Sequence, residues 1–184
     1  MDAQEYAKDF LEGVRSEAAA TGEGKCAVFV RNVAQQLVDA EVLPDFEGSF
    51  YTGTGRGNRK FRVDGYILDE FDMAMNLIIA DFDEDPDRIL AKTGISQCLT
   101  RLSYFAELAL NGSLHDVIEP STPCADLADI IHTYKDRIRK FKYHIFTDAS
   151  VSATIKTVET QPIGTIPTDC QVWSLERLFR ICSS

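Results

Sequence analysis

Apolar residues recur at helical spacing in two stretches at the start of the chain. Tyr6, Phe10, Leu11 and Val14 mark the first, and Phe29, Val30, Val33, Leu37 and Val38 the second. Each set predicts an amphipathic helix with one face toward a core, and Thr21-Gly22-Glu23-Gly24 breaks the chain between them. From Pro44 through Gly48, Gly53, Gly55 and Gly57 no period is sustained, which predicts an irregular connection with one short strand at Ser49 to Thr52. The pattern then changes to alternation. Phe61, Val63, Gly65 and Ile67 alternate with Arg62, Asp64 and Tyr66, Asp69-Glu70-Phe71-Asp72 supplies turn chemistry, and Met75 to Ala80 is almost continuously apolar. This predicts a β-hairpin whose second strand is central in its sheet.

Asp85-Pro86 offers an N-cap and a first-turn proline, and Ile89, Leu90, Ile95, Leu99, Leu102, Phe105, Ala106 and Leu110 continue at helical spacing to a stop at Asn111-Gly112. A long helix with an irregularity at Gly94 is the expectation. After Pro120 and Pro123, the positions Leu127, Ile130, Ile131 and Tyr134 predict another helix. Phe141 to Thr147, Ile155 to Val158 and Gln171 to Trp173 read as strands, and Leu175 to Ile181 as a closing helix. The order implies one α/β domain over residues 1–184, built on a mixed sheet flanked by helices. There is no internal repeat and no low-complexity tract.

Composition narrows the class. A chain of 184 residues with 45% hydrophobic residues is long enough for one substantial core. No stretch approaches the roughly 18 uninterrupted apolar residues of a membrane helix, and the N-terminus carries Asp2, Glu5 and Asp9 where a signal peptide would be basic. A cytoplasmic protein without a membrane partner is expected. Cys26, Cys98, Cys124, Cys170 and Cys182 contain no CxxC pair, so free thiols, mostly buried, are expected in place of a disulfide framework. His115, His132 and His144 lack zinc-ligand spacing.

Charge is unevenly distributed. Of the net −10, much lies between Asp69 and Asp87, where eight acids occur with no Lys or Arg. A net negative surface disfavours general attraction to nucleic acid, but two basic clusters stand apart: Arg56, Arg59, Lys60 and Arg62 in a Gly-rich segment, and Lys135, Arg137, Arg139, Lys140 and Lys142 at the end of a predicted helix. The second cluster also suits the negative end of a helix dipole.

Candidate chemistry centres on the hairpin. Asp64 lies within its first strand and Asp81 at the end of its second, so a turn near residues 69–73 carries both toward one end of the sheet. Two neighbouring carboxylates make a site for Mg²⁺ or Mn²⁺, hard cations that prefer oxygen ligands, and such an ion activates water toward a phosphodiester. The plainer account is that acids at strand ends and turns are solvated surface groups. No phosphate-cradling GxxxxGK[ST] sequence and no GxSxG elbow occurs.

The segment Phe61-Arg62-Val63-Asp64-Gly65-Tyr66, followed by the acidic turn, the apolar strand Leu77 to Ala80 and then Asp81-Phe82, resembles the N-terminal domain of AIPR proteins, the bacterial abortive phage infection family. Phe141 to Asp148 and Val172-Trp173-Ser174-Leu175-Glu176-Arg177-Leu178 resemble it as well. The resemblance implies a restriction-endonuclease-like core, in which an Asp on one strand and an acid-x-Lys on the next hold the metal of a phage-defence nuclease. Asp64 matches the first acid and Asp81 the second. Asp83 stands where the pattern has lysine; it adds a third carboxylate to the metal set but repels an incoming phosphate. Three readings stay open. Lys92, or Lys60, supplies the missing ammonium; the acids bind metal without a lysine; or the domain has lost cleavage and acts as an interaction or sensing module of a longer defence protein. In the nuclease readings, Arg56, Arg59 and Lys60 contact nucleic-acid phosphates, and Gln97 and Arg101 reach substrate from the helix beside the site. The same residues also suit an ordinary solvated loop and helix face. A homodimer, and an association of the acidic cluster from Asp81 to Asp87 with a basic partner or another part of a longer chain, are further expectations.

Overall fold

The computed structural model describes residues 1–155 and 157–183. The first helix, α1 (Ala3–Thr21), starts with reciprocal capping: the Asp2 carboxylate accepts from the Glu5 amide at 2.8 Å, and the Glu5 carboxylate from the Asp2 amide at 3.0 Å. It ends at Gly22, whose φ of 76° is the left-handed conformation that glycine adopts without a Cβ clash. The second helix, α2, spans Lys25–Asp39. Both lie where the periodicity predicts.

Strands β1 (Glu47–Thr54), β2 (Lys60–Asp69) and β3 (Ala74–Asp81) form an antiparallel meander. The short strand expected at Ser49 to Thr52 is therefore longer, and it forms one outer edge of the sheet. After β4 (Ile89–Leu90) come α3 (Lys92–Leu110) and α4 (Pro123–Thr133), then β5 (Lys140–Thr147), β6 (Ser150–Val151), β7 (Thr168–Ser174) and α5 (Leu175–Cys182). The main sheet has the order β1-β2-β3-β5-β7, with β3–β5 and β5–β7 parallel. β3 is central, as its continuous apolar run implies.

Alternation on β3 divides the interior. Met75, Leu77 and Ile79 pack with Leu102 and Phe105 of α3 and Leu127 and Ile131 of α4. Ile78 and Ala80 pack on the opposite face with Val14 of α1, Phe29 and Val33 of α2, and Leu178 of α5. The result is a mixed five-stranded sheet with helices on both sides, the α/β class expected. Each fully buried Leu, Ile or Phe in these layers contributes roughly 1.5–3 kcal/mol.

Four expectations require correction. The long helix begins at Lys92, not Asp85. The Asp85 carboxylate instead accepts from the Asp87 amide two residues on, and Ile89–Leu90 pair in parallel with Ser150–Val151, so a distant partner takes the backbone groups that a helix would have used. Gly94 interrupts nothing; it lies in the first turn of α3, where a Cβ would meet Leu90 Cδ1 at 2.7 Å. Ile155, Thr157 and Val158 are outside any strand, and Lys156, within the same predicted strand, is outside the described residues. The second basic cluster also lies mostly beyond its helix: α4 ends at Thr133, and Lys140 and Lys142 belong to β5.

No helix is long and apolar enough to cross a membrane among the described residues. Cys98, Cys124 and Cys170 are buried free thiols, Cys26 is half-buried and Cys182 exposed.

Candidate functional site

Asp64 is only 3% exposed. Here β1 bulges, with Ser49 and Phe50 lying between the Gly48–Gly65 and Tyr51–Val63 pairs. On its other side the β2–β3 ladder begins at Gly65 and Ile78, and beyond that pair the Asp64 side chain takes over as acceptor: its Oδ2 receives the Ala80 amide at 2.7 Å. Arg62, two residues earlier and so on the same strand face, donates Nε to Oδ1 at 3.0 Å and places Nη2 3.0 Å from Oδ2. This is a fork-to-carboxylate pair. Arg62 Nη2 also lies 3.5 Å from the Cys26 sulfur on α2. Burial pushes the Asp64 carboxyl above the ordinary Asp range, against the lowering effect of Arg62 and the Ala80 amide. Burial likewise works to lower the Arg62 guanidinium, but Asp64 and Cys26 leave it raised; the two-point geometry holds the couple as an ion pair.

Asp81 belongs to a different set of contacts. Its Oδ2 accepts from Thr147 Oγ1 at 2.7 Å and from Arg88 Nη1 at 2.8 Å. Arg88 then reaches three further oxygens: the Asp81 carbonyl through Nη2 at 3.3 Å, Asp148 Oδ1 through Nη2 at 3.0 Å, and Asp83 Oδ2 from Nε at 3.3 Å. The Asp148 side chain has no exposed surface and also accepts the Asp83 and Asp85 amides at 3.3 and 3.1 Å. Burial raises its carboxyl, opposed chiefly by the Asp83 amide and by Arg88. Neighbouring Glu84 is held by Lys25 at 2.8 Å and Arg15 at 3.5 Å. Asp81, Asp83 and Glu84 are therefore tied back onto their own domain.

The structure brings Asp81 and Asp83 together around Arg88 and keeps Asp64 with Arg62. Asp64 is held by Arg62, which also reaches Cys26 of α2, and by the Ala80 amide, whereas Asp81 is held by Thr147 of β5 and by Arg88. Among the described residues, no three His, Cys, Asp or Glu side chains form a group able to hold a metal ion. Lys92 is exposed at the start of α3 and lines a groove with Ser96, Thr154 and Glu159; the cations on Asp64 and Asp81 are arginines.

The basic residues before the site form a second assembly. Arg56 lies in a 3-10 turn at Arg56–Asn58, and Arg59 and Lys60 follow it, all exposed. The Arg59 guanidinium sits over the Tyr104 ring of α3, 3.9 Å from its centroid. Gln97, Arg101 and Tyr104 succeed one another at spacings of four and three, so they share a helix face. The Arg59–Tyr104 contact thus joins the basic turn to the face carrying Gln97 and Arg101.

Arg88 and Asp148 are the residues that sequence reasoning missed. A signal existed for each: Arg88 is the first cation after eight acids, and Asp148 follows the carboxyl end of a strand parallel to β3, the end where α/β sheets place their polar sites.

Comparison with known proteins places residues 29–180 under a family model described as the abortive infection phage resistance protein N-terminal domain. No curated protein and no solved structure matches the chain.

Proposed function

The chain belongs to the abortive infection phage resistance protein N-terminal domain family, and on that premise we propose that it is a noncatalytic, nuclease-like sensing module of a phage-defence protein. The observation that carries this reading is the pairing of each hairpin acid with an arginine, Asp64 with Arg62 and Asp81 with Arg88. A divalent cation is a poor fit to this donor set. Both Asp64 oxygens and Asp81 Oδ2 already accept guanidinium, hydroxyl or amide hydrogens, and an ion there would sit beside the Arg62 or Arg88 guanidinium. The sensing surface is the assembly of Arg56, Arg59 and Lys60 with Gln97 and Arg101, cations and an amide suited to a nucleic-acid backbone.

A second reading, metal-dependent phosphodiester hydrolysis with Asp64, Asp81 and Asp83 as ligands of Mg²⁺ or Mn²⁺ and Lys92 as the catalytic ammonium, draws support from one contact. The Ala80 amide on Asp64 puts this carboxylate beside the residue preceding Asp81. It requires both arginines to leave their carboxylates.

Thermal unfolding of wild type and Asp64→Asn with and without Mn²⁺, followed by a cleavage assay in the same buffer, separates the two. The sensing module predicts no Mn²⁺-dependent rise in Tm and no cleavage, with nucleic-acid binding that weakens steeply with salt and falls in Arg59→Glu and Lys60→Glu. A Mn²⁺ stabilisation of wild type that vanishes in Asp64→Asn, together with Mn²⁺-dependent cleavage in the same buffer, would instead establish the hydrolytic reading.

A further inference from the structure

We propose that β1 is a self-association edge, along which a second copy of this chain adds antiparallel so that two five-stranded sheets join into one. The proposal does not rest on the sensing role, although Arg56 and Lys60 belong to both surfaces. It begins from the inequality of the two outer strands, β1 and β7.

β7 is closed by its own chain. The Val172 carbonyl accepts from Arg177 Nη1 at 2.8 Å, the Thr168 carbonyl accepts from Thr160 Oγ1 at 2.8 Å, and Arg177 Nη2 holds the Gln171 side chain at 2.8 Å. Side chains that occupy edge carbonyls are a recurrent protection against intermolecular pairing. β1 carries no such cap on its carbonyls among the described residues. It is eight residues long, contains no Lys and no Pro, and exposes Phe50 to 44%. Its bulge at Ser49 and Phe50 leaves Tyr51 to Thr54 in regular register with Val63 to Lys60, so that half remains an undistorted template.

Charge identifies the occupant. Exposed Asp45 and Glu47 stand at the start of β1, and exposed Arg56 just past its end, with Lys60 paired to Thr54 on the neighbouring strand. An edge that is acidic at one end and basic at the other repels a parallel copy and matches an antiparallel one, because the two-fold axis sets each acidic end against a basic end. The partner strand would also cover Phe50.

Sedimentation velocity of the whole chain over a concentration series, up to roughly 100 µM where a dimer with a Kd near 10 µM is well populated, tests this directly. The expected result is a concentration-dependent dimer. Arg56→Glu and the double variant Asp45→Lys/Glu47→Lys each weaken it about tenfold or more by putting like charges together, while both keep the wild-type melting temperature because these side chains are exposed. An equal mixture of the two variants restores the dimer, since one copy then offers an acidic edge and the other a basic one. Phe50→Lys also weakens the dimer. A wild type that stays monomeric throughout overturns the proposal. So does a dimer indifferent to these substitutions, or one that the mixture fails to restore.

Discussion

The indole Nε1 of Trp173 donates to Nδ1 of His144 at 3.1 Å, and this bond decides which ring nitrogen carries the proton. With Nδ1 as acceptor, Nε2–H donates to the Asn76 carbonyl oxygen at 2.8 Å, and the Asn76 amide donates onward to the Ile67 carbonyl at 3.2 Å. The chain of bonds crosses β7, β5, β3 and β2 in order on a buried face. Arg177 covers the far side of the indole, 3.8 Å from its ring. A polar line with one donor for each acceptor fixes how four strands align, because a shift in any of them strands a buried polar group.

His144 makes stability depend on pH. Burial pulls its pKa from 6.5 down to about 4, so between those values the unfolded chain binds the extra proton and the folded chain does not. Stability therefore rises with pH through that window, is complete above it, and is lost as pH falls toward 4. The difference amounts to roughly 3 kcal/mol. Urea unfolding from pH 4 to 7.5 should show this slope in wild type and a flatter one in His144→Phe, which is also less stable at pH 7 because Asn76 and Trp173 lose their partner.

Asp64 and Arg62 should behave as one unit. Removing the arginine leaves a buried carboxylate, and removing the carboxylate leaves the Ala80 amide and a half-buried guanidinium unmatched, so each single change should cost roughly 3 kcal/mol. The double variant Asp64→Leu/Arg62→Met should cost much less than the sum of its singles. A coupling energy near zero in this cycle would show that the pair contributes no more than a surface contact.

Arg88 holds Asp81, Asp83 and Asp148 at once. Arg88→Met should destabilise the protein by about 3 kcal/mol, chiefly by leaving Asp148 buried with its charge uncompensated. Arg88→Lys should recover little, since an ammonium cannot span carboxylates that a planar fork reaches from separate nitrogens. Denaturant midpoints of the two variants check this order.

Gly65 is required by packing. A Cβ there would overlap the Phe46 ring and lie 3.2 Å from the Glu47 carbonyl, so Gly65→Ala should lower stability by roughly 1–3 kcal/mol. Truncating the ring should relieve that clash, and Gly65→Ala should therefore cost much less in a Phe46→Ala background than in wild type.

Much of the scaffold was legible before any coordinates. α1, α2 and β3 follow from local periodicity, and the hairpin follows because the Asp69 carboxylate closes its own turn by accepting the Phe71 and Asp72 amides. Elements whose backbone partners are remote were not legible: β4 pairs with β6 across some sixty intervening residues, and nothing near Ile89 announces a strand. The site was half legible. Asp64 stood out as an acid inside an apolar strand, and it is indeed buried.

By itself, the sequence determined which segments become helix or strand and which faces turn inward, because side-chain periodicity and caps act over a few residues. Only the tertiary structure decided what the acids do. Whether a carboxylate meets a metal, water or an arginine depends on groups brought together from distant positions, as Asp148 and Asp81 are by the parallel pairing of β5 with β3. In a buried, weakly screened setting the nearest cation controls the energy, and the sequence alone does not show which carboxylates Arg62 and Arg88 meet.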